Sequence, residues 1–318
     1  MQKIFKSIEE QIEILRFKGM EVSNEKYAGE ILLRENYFFI SGYRHPFVDA
    51  QTGKYLAGTT FEEVYSLFLF DRTFRNIIFK NLLIVENNLK SVISYQLSKK
   101  YGYRESDYLN PTNFTKEPIK VKQVNDILRK MKRQIRVNAH QHTATFHYMN
   151  NYGYIPLWIM VKVLSFGIVG ELFSILKRED KETIAEIFEV DAELLEDYLP
   201  MLANYRNLCA HEEIVYENKT QKEIGNTIYH SLLKIEKDEH NEYRKGKNDI
   251  FALAIILKEL LNDSDFKNMM LEIEDAIENL EYNLHTISID VILDRMGFPK
   301  NFMDIKNMNK KVEEWEKR

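Results

Sequence analysis

Apolar residues recur along most of this chain at intervals of three and four, the period of an amphipathic helix. Residues 4–18 place Ile4, Ile8, Ile12 and Leu15 on one face with charges opposite. Ser23 and Asn24 are suited to N-cap a second helix through Ala28, Ile31 and Leu32. A long helix should start after Thr60, where Glu63 completes a capping-box pattern, and carry Val64, Leu67, Phe68, Phe74, Ile78, Leu82, Val85, Leu89, Ile93 and Leu97 to a stop near Gly102. Residues 103–115 read as a loop, 119–137 as a short basic helix, and the stretch NAHQHTATFHYMNNYG as a polar loop.

Pro156 opens an apolar helix to about Leu176, followed by short helices over 181–188 and 191–199. Pro200 marks a kink or boundary before 201–212. Two more helices fit in 220–260 around a charged loop at Gly246, and an acidic helix and the turn GFPKN follow in 265–318. Period-two alternation is brief and no internal repeat occurs, so the expected class is all-α. The expected division is an N-terminal helical segment over 1–55, a helical-bundle domain over 56–262 and a C-terminal helical appendage over 263–318.

Composition changes this picture little. The 318 residues are 44% hydrophobic and 29% charged, with 6 Pro and 12 Gly, enough for a large core of long helices. The net charge of −5 argues against a general nucleic-acid coat, although one basic face can outweigh the sum. The single cysteine, Cys209, excludes an internal disulfide and a Cys-rich zinc site, and fits a reducing compartment. The N-terminus lacks a signal-peptide core, and Lys162 and Glu171 interrupt the longest apolar run, so a cytoplasmic protein without a membrane span is expected.

Candidate chemistry concentrates in Asn204-Tyr205-Arg206-Asn207-Leu208-Cys209-Ala210-His211. Histidine titrates near pH 6.5, so His211 can take a proton from a ribose 2′-hydroxyl or give one to a departing 5′-oxygen. Arg206 can fork onto phosphate oxygens, and Asn207 can orient the imidazole or a phosphate. This chemistry requires neither metal nor cofactor. A five-residue step is about 7.5 Å and about 140° on a straight helix, so the two side chains do not share a face. Either Arg206 reaches round, or the helix bends, or a second copy of the chain completes the site. The bare spacing is common, and fits an exposed Arg and a helix-terminal His equally well.

Other residues carry plainer readings. Asp71 and Arg75 are spaced for a helix ion pair, and Glu86, set among Leu83, Val85 and Leu89, wants a partner, for which Arg206 is a candidate. Structural support suits these three, and Arg72, better than catalysis. The basic helix carries Lys120, Lys122, Arg129, Lys130, Lys132, Arg133 and Arg136, either a solvated face or a contact for an RNA backbone. His140, His142 and His147 lack a nearby acidic or Cys ligand and read as part of the polar loop. Trp158 and Phe166 read as core, Gly167 and Gly170 as points of close helix approach, and Cys209 as a packed residue. No phosphate loop, dinucleotide fingerprint or zinc-peptidase motif occurs.

The segment YRNLCAH (205–211) resembles the HEPN ribonuclease signature, an Arg followed by a polar residue and then a His. The chain is further similar to the AbiD/AbiF-type abortive-infection proteins of that superfamily, through EEQIEILRFKGM (9–20), YFFISGYRHPF (37–47), residues 70–102, PLWIMVKVLSFGIVGELFSIL (156–176), YRNLCAH and MGFPKNF (296–302) in order. The resemblance implies a HEPN-like helical bundle, an endoribonuclease leaving 2′,3′-cyclic phosphates, or a non-catalytic RNA-binding protein, and a role in anti-phage defence. It implies RNA and a second copy of the chain as partners, with an antitoxin RNA or protein as a further candidate. One departure stands out: Glu212 and Glu213 follow His211 where the family carries polar and basic residues. Glu212 is placed to raise the His211 pKa, and also to repel RNA.

Overall fold

The computed structural model describes residues 4–139 and 141–308. Among them the secondary structure is helical, with four isolated bridges and no strand. The all-α class is therefore as the periodicity requires. The chain opens with α1 (Ile8–Phe17), α2 (Glu25–Glu35) and α3 (Tyr37–Gly42), then enters α4 (Phe61–Tyr101), 41 residues long. The short α5 (Glu105–Tyr108) leads to α6 (Val121–Asn138), α7 (Thr143–Tyr152) and α8 (Leu157–Met160). Next come α9 (Phe166–Ser174), α10 (Arg178–Glu186) and α11 (Ala192–Ala210). The remainder is α12 (Ile228–Leu232), α13 (Ile250–Leu260), α14 (Asp263–Asn283) and α15 (Ile289–Arg295).

The length of α4 follows from its pattern and its ends. Its apolar residues are buried on more than one side, because α14 and α11 pack along it and α13 and α8 also reach it. Thr60 accepts the Glu63 backbone N–H at 3.1 Å, and Gly102 ends the helix at φ +96°, a conformation that suits glycine. The Glu63 carboxylate does not close the capping box. It is buried and turns instead to the end of α14, accepting the His285 and Thr286 backbone N–H groups at 2.8 and 2.7 Å and the Thr286 hydroxyl. The Lys80–Glu272 ion pair lies further along, so α14 runs antiparallel to α4.

Four stretches fold differently from their local patterns. The polar stretch holds α7, because Ala144, Tyr148 and Met149 recur at helical spacing and pack on the core while the other face is polar. His142 precedes α7 and His147 lies on it; His140 lies outside the described residues. The run after Pro156 does not make one helix. It breaks at Leu164, where extended backbone precedes Ser165, whose hydroxyl caps α9 at Ile168 N, 3.4 Å away. Residues 103–115 hold α5 and a 3-10 turn. Finally, α11 runs unbroken through Pro200. The ring faces solvent, so the Glu196 carbonyl it leaves unpaired can be hydrated, while Leu195, Tyr198, Leu199, Met201, Leu202 and Tyr205 are buried on both sides of it.

Burial revises two further readings. Phe166 is core, but Trp158 is 41% exposed. A Cβ on Gly170 would stand 3.3 Å from the Leu199 Cβ, so α9 and α11 do approach closely there, whereas Gly167 faces open space.

The segment after α11 is fixed by a buried carboxylate. Asp71 accepts the Tyr43 hydroxyl at 2.7 Å, Arg75 Nη1 at 2.9 Å, and the backbone N–H groups of Val215 and Tyr216 at 3.2 and 2.8 Å. Arg75 also donates to the Glu213 carbonyl at 2.9 Å. Burial raises the Asp71 carboxyl above its usual range, against which the Tyr43 hydroxyl, Arg75 and the two amides favour the ionised form. A second buried carboxylate, Asp249, caps α13 at Ala252 N and accepts Gly246 N. It packs on Gly297 so closely that a Cβ there would lie 2.1 Å from the carboxylate.

Replacing Asp71 with Ala leaves Arg75 buried without its counter-charge, and denaturant unfolding should show a loss of about 3–5 kcal/mol. Burial pushes the Asp249 carboxyl up to about 6. The native state then binds more protons than the unfolded chain between about pH 4 and 6, so this group's contribution to stability falls as pH rises through that window. Asp249→Asn should remove on the order of 3 kcal/mol of that fall, read as the difference between the pH–stability curves of parent and variant.

Candidate functional site

The motif residues lie on the last two turns of α11, opposite the middle of α4. Arg206 points toward α4. Its Nε lies 3.1 Å from Glu86 Oε2 and its guanidinium carbon 5.9 Å from the Phe79 ring centre. The other Glu86 oxygen accepts Lys90 Nζ at 2.6 Å. Glu86 is buried, so it satisfies its charge with two cations at once. This gives Glu86 the partner anticipated for it and adds Lys90, one turn further along α4, whose spacing from Glu86 is the i, i+4 step of an ordinary helix pair. Arg206 remains 29% exposed in its side chain, and among the described residues its two Nη groups have no acceptor.

Asn207 is exposed on the next position of the helix. His211 is the C-cap of α11, its backbone N–H bonded to the Asn207 carbonyl at 3.0 Å and its side chain in solvent. Because α11 stays helical through Ala210, no bend brings Arg206 and His211 onto one face. The other two routes remain: the reach of the arginine, or a second chain.

After His211 the chain reverses through Glu212 at φ +56°, and Ile214 packs against Gly42. The Glu212 side chain makes no hydrogen bond with His211 among the described residues. Its charge is felt instead by Arg72, whose guanidinium is held charged first by a two-pronged bond to Glu35 at 3.0 and 2.6 Å and to a smaller degree by Glu212. Of the two acids that follow the imidazole, Glu212 thus has a cation on α4 near it. Cys209 is buried, and burial pushes its thiol up to about 12, which suits a packed side chain and not a nucleophile.

The bonds that fix α11 also bring in residues that local patterns do not flag. Tyr43 carries the loop after α3 onto Asp71 and stacks on Tyr216, 6.0 Å between ring centres. Glu217 joins His45 Nδ1 at 2.7 Å and Arg295 Nη1 at 3.1 Å, tying the segment to both the N-terminal helices and α15. An aspartate and an arginine four apart inside an apolar run are the one signal in the sequence for this network.

The basic helix α6 packs on α9 and buries Val124, Ile127, Leu128 and Met131. Its cations divide. Lys120 donates to the Ser174 carbonyl, Lys130 pairs with Glu171 and Arg129 with Asp126. Lys122, Lys132, Arg133 and Arg136 are exposed and have no acid partner among the described residues. Lys120 lies beside Ser174 at the end of α9 and also within 3.5 Å of Glu196 near the start of α11, while Gly170 meets Leu199. Hence α9 is antiparallel to both neighbours, and the C-terminal half of α6 sits at the same end of the bundle as the C-terminal half of α11. Lys162, exposed just before α9, belongs to that end as well.

Among the described residues no three His, Cys, Asp or Glu side chains gather as a metal site would. A cavity of about 710 Å³ lined by Tyr27, Tyr65 and Asn279 opens between α2, α4 and α14, and holds none of the motif residues. What the α11 surface offers is a guanidinium with a free outer edge and an accessible imidazole, a set suited to an anionic ester at an open surface. No described helix is long and apolar enough to cross a membrane.

No curated protein and no solved structure matches the chain. A family model described as Abi-like protein matches residues 30–217, from within α2 to the segment pinned by Asp71. That match covers more than half of the chain and includes α4 and α11, and the chain therefore belongs to the Abi-like protein family.

Proposed function

We propose that this protein is a HEPN-type, metal-independent endoribonuclease acting in abortive-infection defence against phage, within the AbiD/AbiF-type branch. The observation that carries the reading is the state of Arg206. A buried carboxylate holds it by Nε, which leaves its two Nη donors without an acceptor among the described residues, a pair of donors that a phosphate can accept. His211 stands free in solvent about one turn further along, and Asn207 is exposed between them.

In the proposed reaction the ribose 2′-oxygen attacks the adjacent phosphorus and the bond to the 5′-oxygen breaks. The 2′-hydroxyl loses a proton, the departing 5′-oxygen gains one, and the products are a 2′,3′-cyclic phosphate and a 5′-hydroxyl end. Arg206 stabilises the charge on the non-bridging oxygens. His211 moves one of the two protons. Because the two side chains project about 140° apart on a regular helix, a second copy facing the first is the simplest way to bring an imidazole to each side of the phosphate. A homodimer is thus part of the proposal, with the unpaired cations at the C-terminal end of α6 as contacts for the RNA backbone.

Changing His211 to Ala should lower the rate of cyclic-phosphate formation on purified RNA in EDTA by about 10² to 10⁴-fold, and should relieve growth arrest on expression. Undiminished cleavage by that variant would overturn the catalytic assignment; RNA binding without cleavage by the parent would favour a non-catalytic RNA-binding protein. Arg206→Lys keeps the charge but not the fork, and should reduce the rate by about 10²-fold with little change in melting temperature.

A further inference from the structure

Five aromatic rings from three neighbouring segments form one row, and three of them are exposed. Trp158 lies 5.5 Å from Tyr103 between ring centres, Tyr103 lies 5.8 Å from Tyr154, Tyr154 6.3 Å from Tyr152, and Tyr152 5.3 Å from Tyr148. The row joins the loop after α4, the start of α8 and the end of α7. Tyr103, Tyr152 and Trp158 are 38%, 58% and 41% exposed. Rings left in water forgo the gain that burial gives, so three exposed rings held in one row call for an occupant. Arg104 sits over the Tyr154 ring at 5.1 Å and has no ion pair among the described residues.

The surroundings give that occupant a sign. The row ends on α7, whose Thr145 donates to the Asn138 carbonyl at the end of α6, the helix that carries the exposed Lys132, Arg133 and Arg136, none of which has an acid partner among the described residues. The acids nearest the row in sequence are engaged: Glu105 accepts Ile155 N, from the segment between α7 and α8, at 2.6 Å, and Asp107 accepts Arg104 N and the Ser106 hydroxyl of its own loop. Flat rings flanked by unopposed cations suit a polyanion whose monomers carry flat faces.

We propose that this row is a stacking platform for the unpaired bases of single-stranded RNA, with the C-terminal half of α6 taking the phosphates. The proposal rests on the RNA reading above and adds a substrate class to it. Bases in a duplex already stack on one another, so the rings select unpaired segments. From Tyr101 at the end of α4 to Glu86, which holds Arg206, is roughly 22 Å along the helix, so the platform is a subsite separate from the scissile phosphate.

The test uses the full chain with His211→Ala, so that RNA is not consumed, and with Trp315→Phe, so that Trp158 is the only tryptophan. A short oligouridylate should quench Trp158 fluorescence, and an RNA duplex of equal length should not. Tyr103→Ala with Tyr152→Ala removes two stacking rings and should weaken oligouridylate binding by at least about 30-fold. Tyr103→Phe with Tyr152→Phe should retain it, since the ring and not the hydroxyl stacks. Unmoved fluorescence, equal binding of the duplex, or unchanged affinity of the double-Ala variant would overturn the platform, as would a loss of self-association with RNA affinity intact, which would make the row a protein contact. The two readings fail separately. If cleavage depends on His211 but the rings do not affect binding, the nuclease stands and the platform falls. If the rings bind oligouridylate but cleavage ignores His211, the reverse holds.

Discussion

A carboxylate with no exposure holds this architecture in register. Asp71 draws together a phenol from the loop after α3, a guanidinium from its own helix and two backbone amides from the segment after α11. Burying the charge is unfavourable by itself, so the arrangement is stable only when all of those donors arrive. That requirement makes the network a switch-like constraint on geometry: the chain after His211 must return to α4 at one place, which in turn fixes where α11 ends. Few apolar contacts could enforce position so sharply, because they tolerate sliding and a set of directed bonds does not.

The same device recurs along the helix. Glu86 anchors Arg206 and Lys90, and Glu63 anchors the end of α14. Three acids on one helix thus set the positions of α11, its exit and α14. Arg206 is bonded at Nε, and its two Nη groups have no acceptor among the described residues, so its outer edge retains donors. The family match ends at Glu217, so it includes all of the Asp71 network, while Arg295, bonded to Glu217, and Thr286, bonded to Glu63, show that residues beyond it lock onto the same body.

Where local patterns mislead, a competing force is identifiable. Pro200 signals an end, yet α11 continues, because burial of residues on both sides outweighs one hydrogen bond that water can replace. The polar composition of 138–153 hides α7, whose few apolar residues are correctly spaced. Residue type alone reads Trp158 as core, and only the packing reveals that it belongs to an exposed row. The cations of α6 are all legible in the sequence, but three of the seven are committed to neighbours, and nothing local distinguishes Lys130 from Lys132.

By itself, the amino-acid order determined what depends on neighbours within a turn or two: the all-helical class, the span of α4 between Thr60 and Gly102, the helix that ends in the Arg–His motif, and the need of Glu86 for a cation. Only the tertiary structure decided which cation that was, that Asp71 would seize the chain 144 residues later, and which basic and aromatic side chains would stay free. Those outcomes turn on distances between segments remote in sequence, and the local periodicity of a helix carries no information about which face of another helix it will meet.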